Sequence, residues 1–316
     1  MKSLLLLLAL IFSSKCFSQK EINITRELTI GGIKQFISII GKDDSKPLLL
    51  FLHGGPGGSV MDYADRFTDK LQEKFIVIQW DQRETGKTLK LNSSPLPLTL
   101  KLFETDTHDL IDILLAQFHQ KKMYLVGHSW GTELGFYIAD KYPELLFAYI
   151  AISPVINQSE SEQMALEMLK EKAQQTNNKR ETEELSTVKI PFENAEQLYY
   201  ARKWLFDFNG QKITNSSLPK SFVLSWSATW LNVWLEAIKM NLTQTLPAIN
   251  CPVYFFVGRK DYQTNFKISE GYFNKLIAPK KQLFWFEHSG HLIPDTEPGL
   301  LQDIIIEKIL PETYLQ

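Results

Sequence analysis

The sequence contains little cysteine and no cluster of metal-binding side chains. Only two of its 316 residues are cysteine, and Cys16 lies in an N-terminal segment that we predict to be removed. Cys251 then has no partner for an intrachain disulfide, and we expect it to be a small buried apolar residue. Because no stretch has the spacing of a metal site, the sequence predicts neither a metal nor a cofactor.

The sequence also lacks an excess of positive charge. It has 34 basic and 36 acidic residues, which gives a formal net charge of −2. Without a basic patch, no nucleic-acid partner is expected. A composition of 44% hydrophobic and 22% charged residues suits one sizeable core, or a core with an inserted cap.

Long apolar runs are missing except at the N-terminus. Lys2 precedes the apolar stretch from Leu4 to Phe12, and a small polar region ends near Ser18. This pattern predicts that residues 1–18 are a signal peptide, and the apolar run is too short to cross a bilayer. We therefore expect an exported, periplasmic or extracellular protein with no stable membrane insertion after cleavage. Lys15 fits a lipoprotein signal poorly, so an anchor at Cys16 is not expected.

Beyond the leader, short apolar runs alternate with helical patterns, which indicates an α/β fold with a mainly parallel central sheet. From residue 155 to 246 the strand runs disappear and charge-rich helical segments replace them. We predict a helical cap over 155–246, inserted into a core formed by 19–154 and 247–316. The predicted strands are 21–30 and 33–40, joined by a Gly31-Gly32 turn, then 48–52, 75–80, 122–126, 147–152, 251–258 and 282–286.

A sharp turn at Ser129 is the most informative feature of the chain. The sequence Gly127-His128-Ser129-Trp130-Gly131 follows an apolar run and precedes a helical stretch. A serine on such a strand–turn–helix element is held in strained backbone geometry that exposes its hydroxyl, and only small residues fit two places before and after it. Ser129 is therefore a candidate nucleophile.

A serine nucleophile needs a base to accept its proton and an acid to orient that base. On this kind of scaffold the acid and then the base follow the serine along the chain. Asp261 follows one predicted strand, and both His288 and His291 follow the next. The position after Gly290, deeper in the loop, favours His291 as the base and leaves His288 as a solvated loop residue.

A serine nucleophile that attacks a carbonyl group also needs N–H donors for the oxyanion that develops on the substrate. One donor is the backbone amide after the nucleophile, here Trp130. The other comes from the loop after an earlier strand, and His53-Gly54-Gly55-Pro56-Gly57-Gly58 follows the run 48–52. Gly55 is our candidate, since Pro56 has no N–H, and we expect the adjacent Gly54 to contact substrate.

Together these motifs resemble the proline iminopeptidase family of α/β-hydrolases. The residues that carry the resemblance are His53–Gly57, Trp80–Arg83, Gly127–Gly131, Gly258–Asp261 and Ser289–His291. The resemblance implies an α/β-hydrolase fold and a serine aminopeptidase that cleaves N-terminal residues from short peptides through an acyl-enzyme. It also implies that Ser129, His291, Asp261, Gly55 and Trp130 have the roles proposed above.

Two departures from the family pattern concern Glu84 and the helical cap. The family has glycine after Asp-Gln-Arg, where this chain has Glu84. The family also binds the substrate's free amine with cap glutamates, one of them in a Trp-x-x-Trp-Glu pattern. Here Phe208 falls at that glutamate position and Asp207 lies one place earlier. The candidate substrate-binding residues of the cap are therefore Asp207, Glu236 and Trp204, with Glu193 and Glu196 as further carboxylates.

Four of the seven tryptophans lie in the predicted cap, and Trp226, Trp230 and Trp234 share one helix face. They form either the core of the cap or an aromatic wall for the substrate. Glu133, one helical turn past Ser129, is expected to make a hydrogen bond at the edge of the core. The main functional alternative is a carboxylesterase with the same three residues, and the remote one is a non-catalytic binding protein that retains the fold.

Overall fold

The structure is a computed structural model that describes residues 20–211 and 217–314. The predicted signal peptide and Cys16 lie outside the described residues. Cys251 is a buried free cysteine. None of the described helices has the length and apolar character needed to cross a membrane.

Eight strands form a single sheet in the order β1-β2-β4-β3-β5-β6-β7-β8. Strands β1 and β2 form a hairpin, and β2 runs antiparallel to β4. All the remaining neighbours are parallel. The strands are β1 (Ile22–Ile30), β2 (Ile33–Gly41), β3 (Leu48–Leu52), β4 (Ile76–Asp81), β5 (Met123–His128), β6 (Leu146–Ile152), β7 (Val253–Gly258) and β8 (Lys281–Phe286).

Helices alternate with the parallel strands and cover both faces of the sheet. The central strand β3 shows why, because all five of its residues are buried. Leu48, Leu50 and Leu52 join the apolar cluster on one face, and Leu49 and Phe51 join the cluster on the other. A strand that is apolar on both sides needs cover on both sides.

The helices are numbered in chain order. They are α1 (Asp65–Thr68), α2 (Gly86–Leu91), α3 (Leu100–Gln117), α4 (Trp130–Lys141), α5 (Gln158–Gln175), α6 (Lys179–Ser186), α7 (Ala195–Phe208), α8 (Lys220–Ala237), α9 (Leu242–Thr245), α10 (Phe266–Lys275), α11 (Ile293–Thr296), α12 (Pro298–Ile304) and α13 (Leu310–Thr313). Short 3₁₀ turns lie at Leu71–Glu73 and Pro143–Leu145, and a π-turn at Ile305–Ile309 links α12 to α13.

Helices α5 to α9 lie between β6 and β7 and form the inserted segment, which we call the cap. Asparagine side chains accept backbone N–H bonds at the starts of four of these helices, and this capping explains where the helices begin. The two ends of the cap meet, because Leu242 N–H donates to Ile156 O over 2.9 Å. The capping residues are Asn157, Asn178, Asn194 and Asn241.

The cap has its own apolar cluster, but it is not separate from the core of the sheet domain. Leu169, Leu185 and Leu205 lie in the cap cluster. The second half of α8 belongs instead to a sheet-face cluster, through Trp230 and Trp234 among others. Helix α8 therefore joins the two parts of the molecule.

Candidate active site

Ser129 lies at the junction of β5 and α4, in the strained conformation expected for a serine at a sharp strand–helix turn. Its φ is 52° and its ψ is −120°, a region that favours glycine. A Cβ at Gly127 would lie 2.6 Å from Gly131 O, and a Cβ at Gly131 would lie 2.1 Å from Leu52 O. Glycine is therefore required on both sides of the serine because neighbouring backbone lies too close.

The structure brings Ser129, His291 and Asp261 into one hydrogen-bonded chain. Ser129 Oγ lies 2.9 Å from His291 Nε2. On the other side of the ring, His291 Nδ1 lies 3.0 Å from Asp261 Oδ2 and 3.3 Å from Oδ1. The three side chains come from the carboxyl ends of β5, β7 and β8, which meet at one edge of the parallel sheet. His288, by contrast, is exposed, and its backbone N–H bonds to Glu297.

Asp261 is held by its own loop. Its carboxylate accepts hydrogen bonds from the N–H groups of Gln263 and Thr264, each at 3.0 Å, and from the Thr264 hydroxyl at 2.8 Å. Burial opposes ionisation of this carboxyl, but the adjacent His291 and these hydrogen bonds hold its pKa below the ordinary value. Asp261 is therefore an ionised, rigidly placed acceptor for the His291 N–H.

Two residues that the sequence did not point to hold the backbone of His291. His128 Nε2 lies 3.0 Å from the His291 carbonyl oxygen, and the Ser153 hydroxyl donates to the same oxygen over 2.9 Å. A carbonyl can only accept, so His128 must carry its proton on Nε2. Burial lowers the pKa of His128 to about 4, which keeps this ring neutral.

The glycine-rich loop after β3 lies directly beside Ser129. A Cβ built at Gly54 would lie 3.3 Å from Ser129 Cβ and 3.1 Å from His128 Nδ1. Among the described residues, no hydrogen bond is donated by the amide of Gly55 or of Trp130. Both amides thus remain available to an external acceptor.

Trp130 is fixed from behind by the loop that follows β4. Its indole N–H donates to Gln82 Oε1 over 3.0 Å, and the Gln82 backbone N–H points to His53 Nε2 at 3.4 Å. The other ring nitrogen of His53 donates to Gly54 O over 2.8 Å. Burial lowers the pKa of His53. These contacts connect the two segments that carry the candidate oxyanion donors.

The rest of the Trp80–Arg83 motif is structural. Arg83 and Asp106 form an ion pair whose two side chains are both 0% exposed. Gln35 donates to Asp106 over 2.7 Å and accepts from the Trp80 indole over 2.9 Å. This network ties the β1–β2 hairpin to α3.

Glu84, the departure from the family pattern, has a backbone conformation that glycine adopts readily. Its φ is 52°, in the left-handed region. Its carboxylate accepts a hydrogen bond from the Ser94 N–H. The side-chain bond compensates for a conformation that glycine would adopt without strain.

The cap contacts the site loops at several points. The indole N–H of Trp226 donates to Pro56 O over 2.8 Å. Gln158 donates to Gln263 O over 2.9 Å, and Ser161 accepts from the Asn265 N–H over 3.1 Å. The cap is therefore hydrogen-bonded both to the glycine-rich loop and to the loop that carries Asp261.

The cap residues predicted to bind substrate all have other partners in the structure, and their role in substrate binding stays a prediction. Asp207 pairs with Lys172 at 3.3 Å and is 42% exposed. Glu236 accepts from the Leu100 N–H at the start of α3. Trp204 lies in the cap's apolar cluster and donates to Glu184. The further carboxylates Glu193 and Glu196 pair with Lys189 and Lys220 respectively.

Glu133 does not make the hydrogen bond expected of it. It is 2% exposed, and neither carboxylate oxygen has a partner among the described residues. Burial, reinforced by the charge of Glu104, raises its pKa well above the ordinary value. The neutral acid is therefore the favoured form at this position.

An eight-stranded, mainly parallel sheet with a serine elbow after β5 defines the α/β-hydrolase fold. The chain belongs to the alpha/beta hydrolase fold family, whose family model matches residues 47–298. The fold class predicted from the sequence is thus confirmed.

The resemblance to proline iminopeptidases is confirmed as well. Over 306 residues the chain is 29% identical to the probable aminopeptidase YbaC of Bacillus subtilis (strain 168), an alignment that covers 91% of this chain and 96% of that protein. It is 26% identical to the proline iminopeptidase of Heyndrickxia coagulans over 261 residues, covering 79% and 86%. The solved structure of a proline iminopeptidase-related protein from Thermus thermophilus superimposes with a TM-score of 0.61 at 19% identity, covering 92% and 98% of the two chains.

Proposed function

We propose that the protein is a serine hydrolase in which Ser129 is the nucleophile, His291 the general base and Asp261 the residue that orients the base. The observation that carries this proposal is the continuous hydrogen-bonded chain from Asp261 through His291 to Ser129. Its distances allow proton transfer at the moment of attack.

The reaction proceeds in two halves. Ser129 Oγ attacks the substrate carbonyl while His291 Nε2 takes its proton, and the amides of Gly55 and Trp130 donate to the oxyanion. His291 then gives the proton to the leaving group, which departs and leaves an acyl-enzyme. Water attacks the acyl group with His291 again as base, and Ser129 is regenerated. Asp261 accepts the Nδ1–H throughout and stabilises the imidazolium.

The first candidate substrates are short peptides or amino-acid amides with a free N-terminus. This proposal is supported by the motifs shared with proline iminopeptidases and by the two relatives named as aminopeptidases, one of which aligns over nearly its whole length. An enzyme of this type would transfer the N-terminal residue to Ser129 and release the shortened peptide.

A carboxylesterase is the second candidate, and one observation favours it. A free amine needs an unpaired carboxylate, but the cap carboxylates predicted for that role pair with lysines or cap a helix. Glu162, a further buried carboxylate of the cap, is paired with Arg202. An ester substrate needs no such anchor.

Four substrates distinguish these candidates: proline p-nitroanilide, its N-acetyl form, alanine p-nitroanilide and p-nitrophenyl butyrate. For an aminopeptidase, kcat/KM is high for the free-amine anilides and is abolished by acetylation. For an esterase, only the butyrate is hydrolysed. The aminopeptidase proposal is wrong if the acetylated anilide reacts as fast as the free one.

Ser129→Ala is the control for the chemistry itself. The variant should lose all turnover and all labelling by a fluorophosphonate probe, with little change in thermal unfolding. Turnover retained in the variant would mean that the nucleophile is another residue. A wild-type protein that neither reacts with the probe nor hydrolyses any substrate would favour a non-catalytic binding protein.

We further propose that the protein is exported, which the N-terminal sequence alone supports. Expression of the full chain with a C-terminal tag, followed by fractionation and N-terminal sequencing, tests this. We expect an exported product that begins at Gln19. A cytoplasmic product that retains Lys2 would contradict the proposal.

A further inference from the structure

Two tryptophans of α8 contact the glycine-rich loop that carries one candidate oxyanion donor. The half-buried Trp226 donates its indole N–H to Pro56 O over 2.8 Å. Pro56 directly follows Gly55. This hydrogen bond fixes the Pro56–Gly57 peptide group, two peptide groups beyond the one that carries the Gly55 N–H.

Trp230, one turn further along α8, packs against the next residue of the same loop. A Cβ built at Gly57 would lie 2.6 Å from Trp230 Nε1 and 2.7 Å from Cε2. Gly57 also has φ +82°. Only glycine fits between this backbone conformation and the indole ring, so loop and helix are closely matched in shape.

Trp230 is also connected to the second candidate donor. Its ring lies 5.8 Å from that of Phe103 on α3, and Phe103 lies edge-on to Trp130 at 5.6 Å. These rings are buried. A line of aromatic contacts thus runs from α8 through α3 to the residue whose amide follows the nucleophile.

We propose that Trp226 and Trp230 are positioning residues that hold the two oxyanion donors in register with Ser129. The inference rests on the proposed serine hydrolase. A loop rich in glycine has many backbone conformations in isolation, and oxyanion donors are effective only when they are fixed in place before the reaction. The cap therefore supplies part of the geometry of the reacting centre in addition to covering it.

Trp226→Phe tests the hydrogen bond to Pro56, because it removes the N–H donor and keeps an aromatic ring. Trp234→Phe is the matched control on the same helix, since the Trp234 N–H has no acceptor among the described residues. We expect Trp226→Phe to lower kcat about tenfold, on esters and anilides alike, with KM changed less than twofold. Trp234→Phe should keep kcat within twofold of wild type.

A boronic acid that forms a tetrahedral adduct with Ser129 gives a readout that a loss of stability alone would not produce. Its inhibition constant should rise in Trp226→Phe by the same factor as kcat/KM falls. The apparent pKa of the acid limb of the pH–rate profile should stay unchanged, because the base is not involved. An unchanged inhibition constant would contradict a role in placing the oxyanion donors.

Gly57→Ala tests the contact between the glycine-rich loop and Trp230. Its control is Gly32→Ala, because Gly32 has a similar φ of +80° but open space around its Cβ position. Gly57→Ala should lower kcat at least about tenfold, and Gly32→Ala should leave it within twofold. If Trp226→Phe fails to fold, this pair decides the question.

Different results would contradict the positioning role of the tryptophans and the proposed serine hydrolase. If Trp226→Phe and Gly57→Ala both keep kcat within twofold of wild type, the positioning role is wrong while the hydrolase stands. If Ser129→Ala retains turnover, the hydrolase mechanism is wrong, and the positioning role that depends on it is wrong too.

Discussion

Glu133 illustrates how far a single residue can depart from what its neighbours in sequence suggest. It follows the serine elbow by one helical turn, where the sequence predicts a hydrogen bond to the core edge. The carboxyl is buried without a partner among the described residues. The free-energy cost of burying this carboxyl depends on pH, because burial penalises its charged form.

Glu133→Gln should therefore stabilise the protein at high pH. An unfolded chain loses this proton near the ordinary pKa of 4.5, but the folded protein keeps it to a higher pH. The contribution of the protonated Glu133 carboxyl to stability is thus fully present below pH 4.5. The free energy of unfolding falls as the pH rises toward the pKa of Glu133 in the folded protein. We expect the variant to gain stability relative to wild type between pH 4 and pH 8, because the amide has no proton to lose. Urea unfolding at pH 4 and pH 8 checks this, and equal differences at the two values would contradict it.

His128 is a second residue whose role follows from its surroundings. Its neutral ring donates to the backbone of His291, so its removal should displace the base without removing it. We expect His128→Ala to lower kcat/KM about tenfold to a hundredfold. His128→Gln keeps an N–H donor and should recover part of the loss. Steady-state kinetics measure both, and an active alanine variant would rule out the positioning role.

At the scale of elements, the buried network around Arg83 holds the N-terminal hairpin against α3. Asp106 accepts hydrogen bonds from both Arg83 and Gln35, and Arg83 also donates to Gly31 O in the hairpin turn. A buried charge that loses its partner costs far more than the pair contributes. The hairpin is thus secured by groups that lie far apart in sequence.

Asp106→Asn should consequently destabilise the protein by about 3 to 5 kcal/mol, because it leaves the buried guanidinium of Arg83 without a counter-charge. Denaturant unfolding measures the change. Lys70→Gln is the control, since it removes one partner of an exposed pair with Asp303, and it should change stability by less than about 1 kcal/mol. Comparable losses in the two variants would contradict the importance of the network.

The elements of the sheet could be predicted closely because apolar runs determine buried strands. The run at 48–52 matches β3 at both ends, and Asp261 and His291 follow β7 and β8 as chain order suggested. His128, Ser153, Thr264 and Trp226 could not be found in this way. His128, Ser153 and Trp226 contact backbone carbonyls that lie far away in sequence and become neighbours only when the chain folds, and Thr264 carries no motif that marks its bond to the nearby Asp261.

The same limit applies to the carboxylates of the cap, whose partners the sequence does not show. A carboxylate has the same helical sequence pattern around it whether its side chain faces a pocket or a lysine of another segment. Asp207 pairs with Lys172, which is 35 positions away, and Glu236 caps a helix 136 positions away. The bounds of helix α6 are hard to predict because its short, highly charged sequence has few apolar positions to show a period.

At the scale of the whole molecule, cap and sheet domain share helix α8. Trp230 and Trp234 pack into the same cluster as strands β3 and β5, while Val223 packs into the cap cluster. A helix that contributes to two apolar clusters couples their stabilities. The cap should not melt while the sheet remains folded.

We therefore expect a single cooperative unfolding transition for the protein. Tryptophan fluorescence reports on the cap and on its contact with the sheet, because four of the seven tryptophans lie in the cap and two of these pack into the sheet-face cluster, and the proposed hydrolytic activity reports on the sheet edge. The two signals and the far-ultraviolet circular dichroism should fall together in urea. A fluorescence change that precedes the loss of circular dichroism would mean that the cap unfolds on its own.

Strand β8 lies at the edge of the sheet and is the last strand of the chain, so its position affects when the site can form during synthesis. Synthesis delivers Ser129 long before His291, because β7 and β8 follow β5 and β6 along the chain. A chain made only as far as β6 has the serine without the histidine that lies 2.9 Å from it in the complete fold. The proposed hydrolytic activity therefore becomes available only after β8 and the loop that follows it have been synthesised and folded.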